Sequence, residues 1–116
     1  MTREVLRADR QALLELDALM GLIEQLRDVG GRDRFDRDDV HRWALHRLWI
    51  AAGNEAAFYA EARGRNVNQL KPWGALYRFR NRLAHLHLPD IDEDDVWRRT
   101  VMRPAGYRAK AREQLT

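Results

Sequence analysis

Apolar residues near the start of the chain recur at spacings of three, four and seven, which is typical of an amphipathic helix. This first helix is predicted to run from Thr2 to Val29, with Thr2 as its N-cap. Gly30 and Gly31 follow directly and are expected to end it. The apolar positions that form the stripe are Leu6, Leu13, Leu16, Met20, Ile23 and Leu26.

A second pattern of helical period predicts a helix from Asp39 to Arg63, ended by Gly64. The charged segment Arg32–Asp39 before it is predicted to be a connector whose aspartates cap the helix. Small residues at positions 51, 52, 56 and 57 would let another helix approach closely, from this chain or from a second copy.

The third helix is predicted from Pro72 to His85, because proline suits a first helical turn. A polar loop, Arg65–Lys71, precedes it. Pro89 is expected to break the helix, since residues before proline avoid helical geometry. By helical period, the core face of this third helix consists of Leu76, Phe79, Leu83 and Leu86.

The residues that follow the third helix are also predicted to be helical. Asp92 is a suitable cap for a fourth helix that contains Val96, Trp97 and Val101. Pro104 is expected to kink or interrupt this helix, and a last amphipathic segment reaches about Leu115. Because no strand pattern or repeat is visible, the prediction is one all-α domain over residues 1–116. Its expected architecture is an antiparallel bundle of four to five helices, the last kinked at Pro104.

Composition narrows the class of protein. Hydrophobic residues make up 45% of the 116 residues and charged residues 34%, which is typical of one folded domain. The absence of cysteine excludes disulfides, thiolate metal sites and a cysteine nucleophile. Neither a secretory signal nor a long apolar run is visible, so a soluble, cytoplasmic protein is expected.

Basic residues are dominated by arginine, which accounts for 19 of the 21. The net charge of +3 is too small to establish nucleic-acid binding by itself. The arginine excess therefore has two interpretations, a compositional bias or phosphate recognition. Phosphate recognition applies best where arginines cluster, and we expect Arg78 and Arg82 to bind RNA phosphates beside Arg80.

The segment Arg80–Leu86 combines groups that suit chemistry on a phosphodiester. Arg80 offers a permanent planar cation for phosphate oxygens, and His85 can exchange a proton near neutral pH. Asn81 lies one helical turn from His85. Arg80, however, lies about 140° from His85 around an ideal helix. The two can meet only if the arginine side chain wraps round or if two copies of the helix form one cleft.

A metal site is not predicted, and no cofactor is expected. Two ligands on one helical face need a spacing of four residues, which no pair of histidines in this chain has. The four histidines are His41, His46, His85 and His87. By spacing alone, an arginine and a histidine on a helix more often form a solvated face than a site.

The wider context of the segment resembles the HepT-like group of HEPN-domain toxins, small helical proteins encoded beside minimal nucleotidyltransferases. The resemblance covers about residues 40–115. It rests on elements in matching order and spacing, namely Trp73, the segment from Arg80 to His85, Ile91-Asp92 and Val96-Trp97.

The resemblance implies a metal-independent endoribonuclease toxin, neutralised by a nucleotidyltransferase antitoxin and active as a homodimer. It implies that Arg80 and His85 are the catalytic pair, that Asn81 orients them, and that the site lies at the dimer interface. RNA is the implied substrate, and no membrane partner is implied.

Two positions differ from the family pattern. Many members carry a tyrosine, modified with AMP by the antitoxin, where this chain has His87. Two alternatives follow. The antitoxin inhibits the toxin by binding alone, or His87 serves the site as a second proton carrier. Relatives often have a glycine and a glutamate next to each other, whereas one residue separates Gly53 from Glu55 here. Glu55 is still predicted to be an accessory residue of the site. The altered position 87 also favours a rival function, a non-catalytic partner or substrate-presenting subunit of a nucleotidyltransferase.

Overall fold

The computed structural model describes residues 3–116, so the predicted cap at Thr2 lies outside the described residues. The described residues form six α-helices and two 3₁₀ turns, which confirms the all-α class. None of these helices is long and apolar enough to cross a membrane. The helices are α1 (Arg3–Asp28), α2 (Gly31–Arg37), α3 (Asp39–Ala62), α4 (Trp73–His85), α5 (Glu93–Met102) and α6 (Pro104–Leu115), and the 3₁₀ turns are Val67–Gln69 and Leu88–Asp90.

The short helix α2 was not predicted, and the segment that it occupies is therefore more than a connector. Gly30 has φ 84°, which turns the chain between α1 and α2. Two ion pairs between residues four apart, at 2.9 and 2.5 Å, support the helix. Phe35 is fully buried and packs on Trp97 with ring centroids 5.2 Å apart, which anchors α2 to the bundle.

Pro104 separates two helices rather than kinking one. Helix α5 ends at Met102, and Pro104 occupies the first turn of α6, where a missing backbone N–H has no cost. With α2 and a separate α6, the bundle contains more helices than the four to five predicted. The Asp92 cap is confirmed, since its carboxylate accepts a hydrogen bond from the Asp95 backbone N–H at 3.1 Å.

Helix α3 is central: it packs along α1 on one side and along α4 on another, while α6 packs along α1. The side chain of Trp49 on α3 is buried and donates a hydrogen bond to Thr100 Oγ1 at 3.0 Å. Phe79 and Tyr107 contact the same indole edge to face, at 5.5 and 6.3 Å between centroids. An aromatic core therefore joins α3, α4, α5 and α6.

The predicted core face of α4 is correct for Leu76, Phe79 and Leu83, which are all buried. Leu86 contradicts the prediction, because it is 42% exposed. Helix α4 ends at His85, and Leu86 has extended backbone angles of φ −87° and ψ 145°. The helical period therefore no longer applies at Leu86, whose side chain is released toward the surface.

Candidate active site

Arg80 on α4 lies against α3 at Gly53. A Cβ at Gly53 would lie 2.2 Å from the Arg80 Cβ and 2.6 Å from its Cγ, so the two helices can approach only where α3 has no side chain. The guanidinium Nε then donates to Asn54 Oδ1 at 2.8 Å, and Nη1 donates to Asn81 Oδ1 at 3.0 Å. Two side-chain amides, one from each helix, thus fix the orientation of Arg80.

These neutral partners leave the charge of Arg80 uncompensated. Eleven arginines among the described residues lie within 4.0 Å of a carboxylate oxygen. Arg80 has no such carboxylate partner within the described residues. An amide oxygen orients a guanidinium as a carboxylate does but cancels none of its positive charge. The guanidinium therefore keeps its full attraction for an external anion.

Arg80 borders a cleft of about 520 Å³ between α3 and the segment that follows α4. Arg47 and His87 line the same cleft, and within the described residues no carboxylate does. A cavity of this volume is in the range of small-molecule sites. Its lining residues are Trp43, His46, Arg47, Ile50, Asn54, Arg80, Leu83, Ala84, Leu86, His87, Leu88 and Ile91. The cleft can receive an anionic group and offers it the guanidiniums of Arg47 and Arg80 and the imidazole of His87.

His85, the predicted catalytic histidine, does not line this cleft. It is the last residue of α4, is exposed, and its side chain makes no hydrogen bond or ion pair within the described part of the chain. By helix geometry His85 points about 140° away from Arg80 around α4. A pairing of Arg80 with His85 across a dimer stays a prediction.

Arg78 and Arg82 lie away from the cleft of Arg80. Arg82 is 3.9 Å from an Asp95 carboxylate oxygen, and its guanidinium lies 5.7 Å from the centre of the Phe79 ring. Arg78 is exposed, and its positive charge acts on Tyr107 of α6. Both arginines therefore face the α5–α6 side of α4, and their role in RNA binding stays a prediction.

Glu55, the predicted accessory residue, does not line the cleft either. Burial raises the pKa of Glu55 above its ordinary value, and the negative charge of Glu15 on α1 raises it further. Adjacent residues on a helix point about 100° apart, so Asn54 faces Arg80 while Glu55 is turned toward α1.

Three polar residues of the cleft were not predicted as site residues, namely Asn54, Arg47 and His46. The position of Asn54 and Arg47 on a common face could have been predicted from the helical spacing, because positions 43, 47, 50 and 54 follow one face of α3. His46 is buried in the cleft wall, and its Nε2 lies 2.6 Å from Glu93 Oε1. Arg42 binds the other oxygen of the same carboxylate at 3.1 Å, so this wall is held by a three-residue polar network.

Within residues 3–116, no group of three or more histidine or carboxylate side chains is arranged to hold a metal ion. Comparison of the chain with family models, with curated proteins and with solved structures found no match.

Proposed function

We propose that this chain is a cytoplasmic, metal-independent endoribonuclease that acts as a homodimer and is neutralised by a nucleotidyltransferase antitoxin. One observation carries the proposal: Arg80 is oriented by two amide oxygens beside a cleft that no described carboxylate lines. RNA cleavage builds extra negative charge on the phosphorus oxygens, and a fixed guanidinium stabilises that charge. The toxin and antitoxin roles are supported by the sequence resemblance alone.

The chemistry needs proton transfers at two oxygens. A neutral histidine removes the proton of the ribose 2′-hydroxyl, whose oxygen attacks the adjacent phosphorus and displaces the 5′-oxygen. The departing 5′-oxygen takes a proton from an imidazolium, so the products are a 2′,3′-cyclic phosphate and a 5′-hydroxyl. Arg80 neutralises the phosphorane between these steps. Two histidines share its cleft within one chain, and His87 is the available one because His46 is buried beside Glu93; His85 is proposed to come from the second copy.

The edge of the cleft supports self-association. Trp43, Leu86 and Leu88 line it and are 48%, 42% and 45% exposed. Apolar side chains of this size grouped at a functional surface commonly mark an interface. A second copy that covers them would exclude water from Arg80 and bring its own α4 terminus, with His85, to the cleft.

Asn54→Asp tests the observation that carries the proposal. The substituted carboxylate is nearly isosteric and still accepts the hydrogen bond from Arg80, so the fold should keep its unfolding midpoint. Its negative charge cancels that of Arg80, and we expect RNA cleavage to fall by about 100-fold, as for removal of a transition-state donor. Arg80→Gln should have the same effect, while Arg37→Gln, an exposed charge on α2, should have none. Full cleavage by Asn54→Asp and Arg80→Gln would contradict the proposal.

Mixed dimers locate the catalytic histidine. If Arg80 and His85 meet across the dimer, Arg80→Gln and His85→Ala chains are each inactive, but their mixed dimer contains one intact site. An equal mixture should then recover about a quarter of wild-type activity, because half of the dimers are mixed and each has one working site. If both chains are inactive and their mixture also stays inactive, Arg80 and His85 do not meet across the dimer. If His85→Ala chains stay active while His87→Ala chains are inactive, the proton transfer is assigned to His87 within one chain. Cleavage should persist in EDTA.

The rival function gives a different result in the same assays. A non-catalytic partner of a nucleotidyltransferase would bind that protein tightly, yet the purified chain would leave RNA intact at any excess. Product analysis after wild-type digestion, with detection of the 2′,3′-cyclic phosphate end, therefore separates the two functions.

A further inference from the structure

A second cleft, of about 490 Å³, lies between the start of α4 and the junction of α5 with α6. It shares no residue with the cleft of Arg80. Ala75, which lines it, precedes Arg80 by five residues, so the two point about 140° apart around α4. The lining residues are Lys71, Pro72, Ala75, Arg99, Met102, Arg103, Gly106, Tyr107 and Lys110.

Four cations and no described carboxylate line this second cleft. Arg99 and Lys110 each have a carboxylate partner, at 3.0 and 3.3 Å. Lys71 and Arg103 make no ion pair within the described residues, so about two positive charges are left uncompensated. Charges held together in a concave site attract anions more strongly than the same charges spread over a surface. The cleft is therefore built to attract an anion with more than one negative charge.

Tyr107 adds a hydrogen-bond donor to the cleft. The residue as a whole is 7% exposed, but its hydroxyl oxygen is not enclosed by the protein and makes no hydrogen bond within the described part of the chain. The hydroxyl can therefore donate to a molecule in the cleft. The ring is fixed, because it stacks on Trp73 with centroids 5.8 Å apart and planes at 22°. Burial raises the pKa of Tyr107 against the lowering effect of nearby arginines, so the hydroxyl keeps its proton at neutral pH.

The two lysines of the chain, Lys71 and Lys110, both line this cleft, although 19 of the 21 basic residues are arginine. An ammonium group binds phosphate as a compact point charge, and a guanidinium such as Arg103 binds it through paired hydrogen bonds. Pro72 and Met102 give the cleft an apolar wall, which suits an organic group attached to a phosphate.

From these observations we propose that the second cleft binds a terminal phosphate monoester. A terminal phosphate carries about −1.5 to −2 charges at neutral pH, which matches the two uncompensated cations better than a singly charged phosphodiester does. In the expected complex, Lys71 and Arg103 contact the phosphate oxygens and the Tyr107 hydroxyl donates to one of them. The phosphate belongs to a small phosphorylated molecule or to the 5′ end of an RNA. The proposal uses no residue of the Arg80 cleft and does not depend on ribonuclease activity.

The test is a binding titration followed by nuclear magnetic resonance, which a chain of 13.7 kDa permits. The probes are ribose 5-phosphate and two short RNAs of one sequence, with and without a 5′-phosphate. Tyr107→Phe keeps the stacked ring and removes only the hydroxyl, so binding should weaken by about tenfold, as for a hydrogen bond to a charged group. Arg103→Gln should weaken binding at least as much. Arg37→Gln removes an equal charge on α2 and should change nothing.

Binding of ribose 5-phosphate, weakened by Tyr107→Phe and Arg103→Gln, supports the small-molecule source. Binding of the phosphorylated RNA alone, with the same response to the variants, supports the RNA end. Equal binding of the two RNAs without binding of ribose 5-phosphate would overturn the proposal in favour of backbone contacts. The proposal also fails if neither phosphorylated probe binds, or if Arg37→Gln weakens binding as much as Arg103→Gln.

Discussion

The close packing of α3 against α4 can be tested by adding one methyl group at Gly53. In Gly53→Ala, the new Cβ would lie 2.2 Å from the Arg80 Cβ, more than 1 Å short of the 3.4 Å at which ordinary contact begins. The Arg80 Cβ is fixed to a helix that Leu76 and Phe79 anchor in the core, so no side-chain rotation removes this clash. The helices must separate or bend, and Arg80 moves with them.

The expected cost has two parts. Overpacking lowers the free energy of unfolding by about 1–3 kcal/mol, which urea titration measures by circular dichroism. A shift of about 1 Å in the position of Arg80 lowers RNA cleavage by about 100-fold. Gly106→Ala is the matched control, because a Cβ there meets nothing within 4 Å. That control should gain up to about 1 kcal/mol from helix propensity alone.

An increase in stability for Gly53→Ala equal to that of Gly106→Ala would refute the reasoning. It would mean that α3 and α4 absorb the methyl group without cost, and the orientation of Arg80 would then not depend on the glycine. If RNA cleavage is lost while the free energy of unfolding is unchanged, the added methyl group acts only by displacing Arg80.

Three further substitutions test the core, an ion pair and the dimer. Thr100→Val leaves the buried Trp49 N–H without an acceptor and should lower the free energy of unfolding by about 1–3 kcal/mol in urea titration. Burial raises the pKa of Asp17, but the hydrogen bond and charge of Arg108 outweigh this and lower it below 3.8. Asp17→Asn should therefore cost about 0.5–1 kcal/mol at pH 7, and the difference from wild type should vanish as the pH falls through that lowered pKa. Trp43→Asp should weaken self-association about 30-fold in sedimentation velocity without unfolding the chain, because the indole is 48% exposed.

The long helices were predictable because their cores follow one period over many residues. The predicted ends of α3 and α4, and the predicted C-terminal end of α1, differ from the observed ends by no more than one residue. Helix α2 was missed, because it has seven residues and only Phe35 is buried, so no period could develop. Its helical state depends on the contact of Phe35 with Trp97, which is 62 residues away in sequence and invisible to a local pattern.

The candidate site was predictable only in part. Arg80 and Asn81 are adjacent in sequence, so their association was visible. The predicted accessory residue, Glu55, is one position away from Asn54, which contacts Arg80, and one position on a helix is a rotation of about 100°. Which of Asn54 and Glu55 faces α4 depends on how α3 is rotated between α1 and α4, and only the three-dimensional packing decides that. The close contact at Gly53 sets this rotation, and it accounts for why Asn54 is the residue beside Arg80.

The net charge of +3 does not describe the local charge that an anion meets at a given place on the surface. Most arginines are neutralised in ion pairs with nearby carboxylates, so they contribute little to the local field. Two pairs of cations without a carboxylate partner in the described part of the chain share a cleft, Arg80 with Arg47 in one and Lys71 with Arg103 in the other. A ligand responds to the charge within about one Debye length, roughly 8–10 Å at physiological salt, and not to the total. Two anion sites on opposite flanks of α4 are therefore compatible with a chain whose overall charge is modest.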